Sequence, residues 1–183
     1  MSSNKIVIYT DGSAIGNGKE GGNYGGAAVF IYNSRNLVGK CMRGTNNICE
    51  LEAIRYIVNL LLKNSEKFRS IFNTNVVEIN SDSLYAIKAV TGINKAKVNV
   101  ELIESIMKML AELRNRCAFV VEFNHVKAHT KGTDLKSICN AIVDRVAQEC
   151  SQIVHDGGDV SKWHKVQLKQ DEIDKLDRFS KNK

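Results

Sequence analysis

The chain contains no proline and a single tryptophan among its 183 residues. With its abundant asparagine, lysine and isoleucine, that bias reads as the coding preference of an AT-rich genome and says little about chemistry. No apolar run approaches the roughly 18–20 residues needed to cross a bilayer. The opening Met1-Ser2-Ser3-Asn4-Lys5 leads straight into a short apolar stretch, without the apolar core or cleavage site of a signal peptide. Membrane-embedded and secreted classes are therefore set aside. The five cysteines (Cys41, Cys49, Cys117, Cys139, Cys150) are odd in number, and none forms a C-x-x-C pair. Neither a disulfide framework nor a zinc site is signalled, and free thiols in a reducing, intracellular and cytoplasmic (or nuclear) setting are expected.

What is present describes one globular unit. Hydrophobic residues make up 43% and charged residues 25%, which suffices for one core but not for two. The formal net charge of +6 leans toward a polyanionic partner, nucleic acid above all.

Lys5–Thr10 is apolar on both faces, as in a central strand covered on two sides. Asp11-Gly12-Ser13 reads as its end, and the seven glycines between Gly12 and Gly26 read as a flexible loop. Ala27–Tyr32 and Leu37–Arg43 flank Asn33-Ser34-Arg35-Asn36 as a hairpin. From Asn47 the period becomes helical, with Leu51, Ile54, Val58, Leu61 and Leu62 on one face. A β-branched strand at Val76–Asn80 precedes a short helix to about Val90. A further helix carries Leu102, Ile106, Met109, Leu110 and Leu113, then come a strand at Ala118–Phe123 and a helix at Ser137–Cys150. The order β-β-β-α-β-α-α-β-α predicts a mixed sheet with packed helices over residues 1–154. Residues 155–183 are expected to form a charged extension, as a short amphipathic helix (Val166, Ile173, Leu176, Phe179) or a frayed tail.

Four carboxylates sit at junctions where a sheet or helix can aim them at one spot: Asp11, Glu50, Asp82 and Asp144. Each also has a bland reading. Asp11-Gly12-Ser13 suits a turn, and Asn47-Ile48-Cys49-Glu50 has the spacing of a capping box. Asp82 could cap the helix behind it, and Asp144 shares a polar stripe with Asn140, Gln148 and Ser151. Glu52 competes with Glu50, since two residues apart on a helix is about 200° of rotation and both cannot face one site.

Taken together, the motifs resemble type 1 ribonuclease H. Thr10-Asp11-Gly12-Ser13, Gly16-Asn17-Gly18 and Tyr24-Gly25 are similar to that family's opening. Thr45-Asn46-Asn47-Ile48-Cys49-Glu50-Leu51 matches its T-N-N-x-x-E-L, and Ser81-Asp82-Ser83-x-Tyr85 its fourth-strand motif. Val126-Lys127-Ala128-His129 with Asn140-x-x-x-Asp144 matches its last motif, so that the resemblance spans residues 5–150 in order. It selects Glu50 over Glu52. It implies a five-stranded mixed sheet, its first three strands antiparallel, with helices on both faces. It also implies an endonuclease that cuts the RNA strand of RNA/DNA hybrids, leaving 5′-phosphate and 3′-hydroxyl ends. Two Mg²⁺ ions would be held by Asp11, Glu50, Asp82 and Asp144, with Mn²⁺ as an alternative. The donor set is consistent with that: magnesium prefers oxygen ligands, and like charges about 4 Å apart repel by about 4 kcal/mol at an effective dielectric of 20. His129 is the implied mobile proton-handling histidine.

The resemblance further assigns Asn46, Asn47, Gly12 and Ser13 to the hybrid's minor groove and RNA strand, and Arg43, Thr45 and Asn99 to a phosphate of the DNA strand. A monomer is expected, with no membrane association and no small-molecule cofactor. Leu84 stands where bacterial members carry a groove-contacting Gln, and the basic, Trp-bearing protrusion is shortened to Thr91–Lys97. Weaker hybrid affinity is the expected consequence.

Overall fold

A strand apolar on both faces must be covered on both sides, and the first strand dictates the rest of the architecture. In a computed structural model of the chain, which describes residues 4–127 and 133–180, this strand is β1 (Ile6–Ile15). It is followed by β2 (Tyr24–Ile31), β3 (Asn36–Arg43), α1 (Asn46–Lys63), α2 (Ser65–Phe72), β4 (Val76–Ser81), α3 (Leu84–Val90) and α4 (Val100–Cys117). Then come β5 (Val120–His125), α5 (Leu135–His155), β6 (His164–Lys165) and α6 (Gln170–Ser180). The sheet order is β5-β4-β1-β2-β3-β6. β1, β2 and β3 run antiparallel as expected, whereas β4 lies parallel to β1 and β5 parallel to β4.

Alternation along β1 divides the core. Ile6 and Ile8 pack with Leu51, Ile54, Val58 and Leu61 of α1 and Ile103 and Ile106 of α4. Tyr9 faces the other way, joining Phe30, Leu37, Ile142, Val143 and Val146 under α5. Helices therefore cover both faces. All five cysteines are buried and unbridged. None of the described helices is long and apolar enough to cross a membrane.

The glycine-rich segment departs from its expected form. It is not one loop: β1 continues through Asp11-Gly12-Ser13 to Ile15, and Gly25 and Gly26 lie inside β2. Glycines in these strands serve close approach. A Cβ on Gly12 would collide with the backbone nitrogen of Glu50, and one on Gly26 with the carbonyl of Ala147. α1 and α5 thus press directly onto the sheet backbone.

The sheet has six strands where five were expected. The sixth comes from the C-terminal extension, which runs back along the edge of β3. His164 and Lys165 pair with Gly39 and Val38, the Ser161 amide donates to the Cys41 carbonyl (2.9 Å), and Ser161 Oγ accepts from the Cys41 amide (3.0 Å). Trp163 stacks on Tyr56 of α1 at 4.2 Å between ring centroids. α6 then packs on α5, with Leu176 fully buried, Arg145 donating to both Glu172 oxygens (2.6 and 2.9 Å) and Arg35 paired with Asp177 (2.6 Å).

Leu176→Ala should therefore destabilise the protein by about 2–5 kcal/mol, the usual cost of truncating a buried leucine. Urea unfolding would measure it, and a change below about 0.5 kcal/mol would make the extension a frayed tail.

Candidate active site

The parallel register of β1 and β4 brings the first two carboxylates together. Thr10 pairs with Ser81, so the next residues, Asp11 and Asp82, emerge side by side. Glu50 arrives from α1, which the missing Cβ of Gly12 lets sit against β1. Carboxylate oxygens of Asp11, Glu50 and Asp82 all lie within 4.8 Å of one another. α5 crosses β1, β2 and β3 and delivers Asp144 to the same cleft, of about 320 Å³, which Ser13, Asn46, Ser83 and Gln148 also line.

The bland readings find other owners or none. Asp11 lies within a continuous strand, and its Oδ1 accepts from the Gly12 amide at 2.8 Å. The N-cap of α1 is Thr45, whose Oγ1 accepts from the Ile48 amide (3.4 Å), so Glu50 has no part in a capping box. Ser83 caps α3, accepting from Ala86 (3.2 Å), in place of Asp82. Asp144 is only half-buried, but it faces the cleft and accepts from Gln148 Nε2 at 2.7 Å. Glu52, half a turn away from Glu50, pairs with Lys40 (2.7 Å) and Arg55 (2.6 Å). Burial alone would raise the Glu52 carboxyl, but hydrogen bonds and charge from Arg55 and Lys40 outweigh it and hold the group below its ordinary value.

The cluster itself behaves in the opposite way. Burial, and then the charges of Asp82 and Asp144, push the Asp11 carboxyl well above its ordinary value. Burial, and then Asp11 and Asp82, do the same to Glu50. Glu50 Oε2 is buried without a hydrogen-bond partner. A buried acceptor with no donor, among oxygens that repel, is a donor set suited to a hard divalent cation. The cluster can hold a metal ion.

Other candidate residues are placed as follows. Asn46 lines the cleft, and its amide donates to Asn17 Oδ1 (3.1 Å); Asn47 is exposed on the first turn of α1. The Arg43 guanidinium lies 4.4 Å from the centroid of the Tyr24 ring. Asn99 precedes α4 in a left-handed conformation (φ 56°) and donates to the Tyr85 hydroxyl at 3.1 Å. Ser13 Oγ lies 3.4 Å from Ser151 Oγ. Arg43, Thr45, Asn47 and Asn99 are not among the side chains lining the cleft. His129 lies outside the described residues. Sequence reasoning gave Gln148 no role beyond a polar stripe; its spacing of four residues from Asp144, one helical turn, was the available signal.

The family model of RNase H matches residues 3–152. This chain belongs to the RNase H family. Among curated relatives, Ribonuclease H of Ehrlichia canis (strain Jake) is 35% identical over 97 residues, which are 52% of this chain and 59% of that protein. Ribonuclease H of Clostridium botulinum (strain Hall) is 33% identical over 88 residues, 47% of this chain and 52% of that one. The chain thus spans little more than half the length of these curated relatives. Among solved structures, LC11-RNase H1, isolated from compost by a metagenomic approach, superposes with a TM-score of 0.60 at 25% identity, covering 83% of this chain and 99% of that one. LC11-RNase H1 in complex with an RNA/DNA hybrid gives 0.59 at 24% identity, over 82% and 99%, and shares the fold.

In a carboxylate cluster of this kind, stability is linked to charge. Because Asp11 and Glu50 have raised folded-state pKa values, the native protein keeps protons that the unfolded chain has released. Their contribution therefore falls as pH rises from the ordinary carboxylate range, about 4, toward neutrality. Without metal at neutral pH, Asp11→Asn should melt higher than wild type, by roughly 2–4 °C for each kcal/mol of repulsion relieved. The gap should narrow as the pH is lowered, and Mg²⁺ should raise the wild-type melting temperature more than the variant's. A metal-free variant less stable than wild type by a kcal/mol or more would make Asp11 a hydrogen-bonded structural residue instead.

Proposed function

We propose that this chain is an endoribonuclease that hydrolyses the RNA strand of RNA/DNA hybrids, leaving 5′-phosphate and 3′-hydroxyl ends. The observation that carries the reading is the convergence of the Asp11, Glu50 and Asp82 oxygens within 4.8 Å in a cleft shared with Asp144. In this reading Asp11, Glu50, Asp82 and Asp144 hold two Mg²⁺ ions, with Mn²⁺ as an alternative. Bound there, the ions would supply an activated water and stabilisation of the departing oxygen.

The chain's own groups do the rest. Asp11 and Glu50, forced together by the fold, give up their unfavourable repulsion when a cation is present. Asn46 and Asn47, at the start of α1, reach the minor groove, where 2′-hydroxyls distinguish the RNA strand, while Gly12 and Ser13 meet that strand beside Asp11. Arg43, Thr45 and Asn99 grip a phosphate of the DNA strand. His129 moves a proton or assists product departure, a task suited to an imidazole side chain. The catalytic unit is residues 1–154, working as an intracellular monomer without a small-molecule cofactor. The net charge of +6 supports a polyanionic substrate.

The test is cleavage of a labelled RNA/DNA hybrid beside its all-DNA counterpart, with and without Mg²⁺. Cutting confined to the RNA strand and dependent on metal is expected. Binding without cutting would indicate a hybrid-binding module, and equal cutting of the DNA duplex a DNA nuclease of the same fold. Asp82→Asn should abolish cleavage and leave hybrid binding nearly intact; substantial activity at normal Mg²⁺ would remove Asp82 from the metal site.

Arg43→Ala should weaken hybrid binding and flatten the dependence of log affinity on log salt by about 0.9 for each phosphate no longer neutralised. An unchanged slope would place Arg43 away from the nucleic-acid backbone.

A further inference from the structure

We propose that Gln148 is a positioning residue for Asp144, fixing that carboxylate so that one oxygen remains directed to a cation shared with the Asp11–Glu50–Asp82 cluster. The inference rests on the metal-binding reading above and adds a residue to it.

Asp144 differs from Asp11 and Glu50 in burial, and from the equally half-buried Asp82 in standing apart from the gathered oxygens. Asp11 and Glu50 are buried, on a central strand and on a helix pressed against it, and their positions follow from the packing. Asp144 is half-buried and stands outside the group of oxygens gathered within 4.8 Å. Packing therefore does not fix its carboxylate, and a half-exposed aspartate would otherwise sample several rotamers. Its hydrogen bond is with Gln148, whose Nε2 donates to Oδ1 at 2.7 Å from one turn further along α5. That leaves Oδ2 for a ligand, since an ionised carboxylate has two acceptor oxygens.

The helix backbone at Gln148 is tied to β1. The main-chain carbonyl of Gln148 accepts from Ser151 Oγ at 2.9 Å, and Ser151 Oγ lies 3.4 Å from Ser13 Oγ on β1, two residues beyond Asp11. The turn of α5 that carries Gln148 is thereby held to the strand that carries Asp11. Gln148 also lines the cleft, so its amide stands beside the site and not on an unrelated helix face. Partners that orient a metal ligand in this way typically change metal affinity by ~10–100-fold when removed, and an exposed partner belongs at the lower end.

The test is calorimetric titration of Mn²⁺, and separately Mg²⁺, into wild type, Asp144→Asn, Gln148→Met and Gln148→Asn. Methionine keeps the length and helical preference of glutamine without a donor; asparagine keeps the amide but falls one methylene short. Wild type should show two binding events, the weaker of them lost in Asp144→Asn. Both Gln148 variants should weaken that same event by about tenfold and leave the tighter one unchanged. The Mg²⁺ concentration giving half-maximal hybrid cleavage should rise by a similar factor, with the deficit shrinking at high Mg²⁺. A purely structural role would lower the metal-free melting temperature instead. If Asp144→Asn loses the weaker event but Gln148→Met binds as wild type does, the positioning role is overturned and the metal site stands. If Asp144→Asn itself binds as wild type does, Asp144 is no ligand and the positioning role is overturned, while the Asp11–Glu50–Asp82 site stands.

Discussion

The backbone contact between Gly12 of β1 and the first turns of α1 is the constraint on which the site depends. With no Cβ at Gly12, the amide of Glu50 rests against the strand at a distance no other residue would allow. That contact carries the Glu50 carboxylate into the space already occupied by Asp11, beside which Asp82 emerges because the residues before them, Thr10 and Ser81, pair across the sheet. Burial removes the water that would screen these charges, so Asp11 and Glu50 both become reluctant to ionise. The two cores on either side of β1 supply the apolar burial that holds this arrangement against its own repulsion. Strain at the site and stability elsewhere are thus two parts of one packing arrangement.

Much of this is legible in the amino-acid sequence, though unevenly. The alternation of apolar residues reveals the strands and long helices, because those periods follow from which faces are covered. The four carboxylates can be named, but locally each has an innocent explanation, and only the order of several motifs removes it. The fold then supplies the alternative caps, Thr45 and Ser83, that relieve Glu50 and Asp82 of those duties. The choice between Glu50 and Glu52 follows the same course. Half a turn of helix sends one carboxylate into a cluster of like charge and the other to Lys40 and Arg55.

The misreadings share a physical cause: local signals do not report what lies opposite. Glycines between Gly12 and Gly26 look like a flexible loop, yet Gly12, Gly25 and Gly26 lie in strands and make room for neighbouring atoms. β6 has two residues, too few for any period, and exists because the β3 edge offers hydrogen bonds to it. α2 follows α1 after only Asn64, so its turns merge with the preceding helix. α5 starts at Leu135 because Asp134 caps it, accepting from the Ser137 amide at 3.1 Å, so the helix begins two residues earlier than the polar–apolar pattern suggests.

The extension matters because of where it attaches. Arg145 is the residue after Asp144, and its guanidinium is held by both oxygens of Glu172 and by Glu149 (2.8 Å). Glu172 in turn accepts from the Lys169 amide at 2.8 Å, tying the pair to the start of α6. Leu176 seals the same face by entering the α5 core. One side of α5 therefore presents Asp144 and Gln148 to the cleft, while the side carrying Arg145 is clamped by residues beyond the segment that matches the RNase H family. A helix delivering a half-buried ligand needs its rotation fixed, since turning it by one residue, about 100°, would replace Asp144 with a neighbour. Interdigitation with the sheet sets that rotation from below, and the Arg145–Glu172 pair sets it from above. The extension is thus mechanically continuous with the helix that carries the half-buried Asp144.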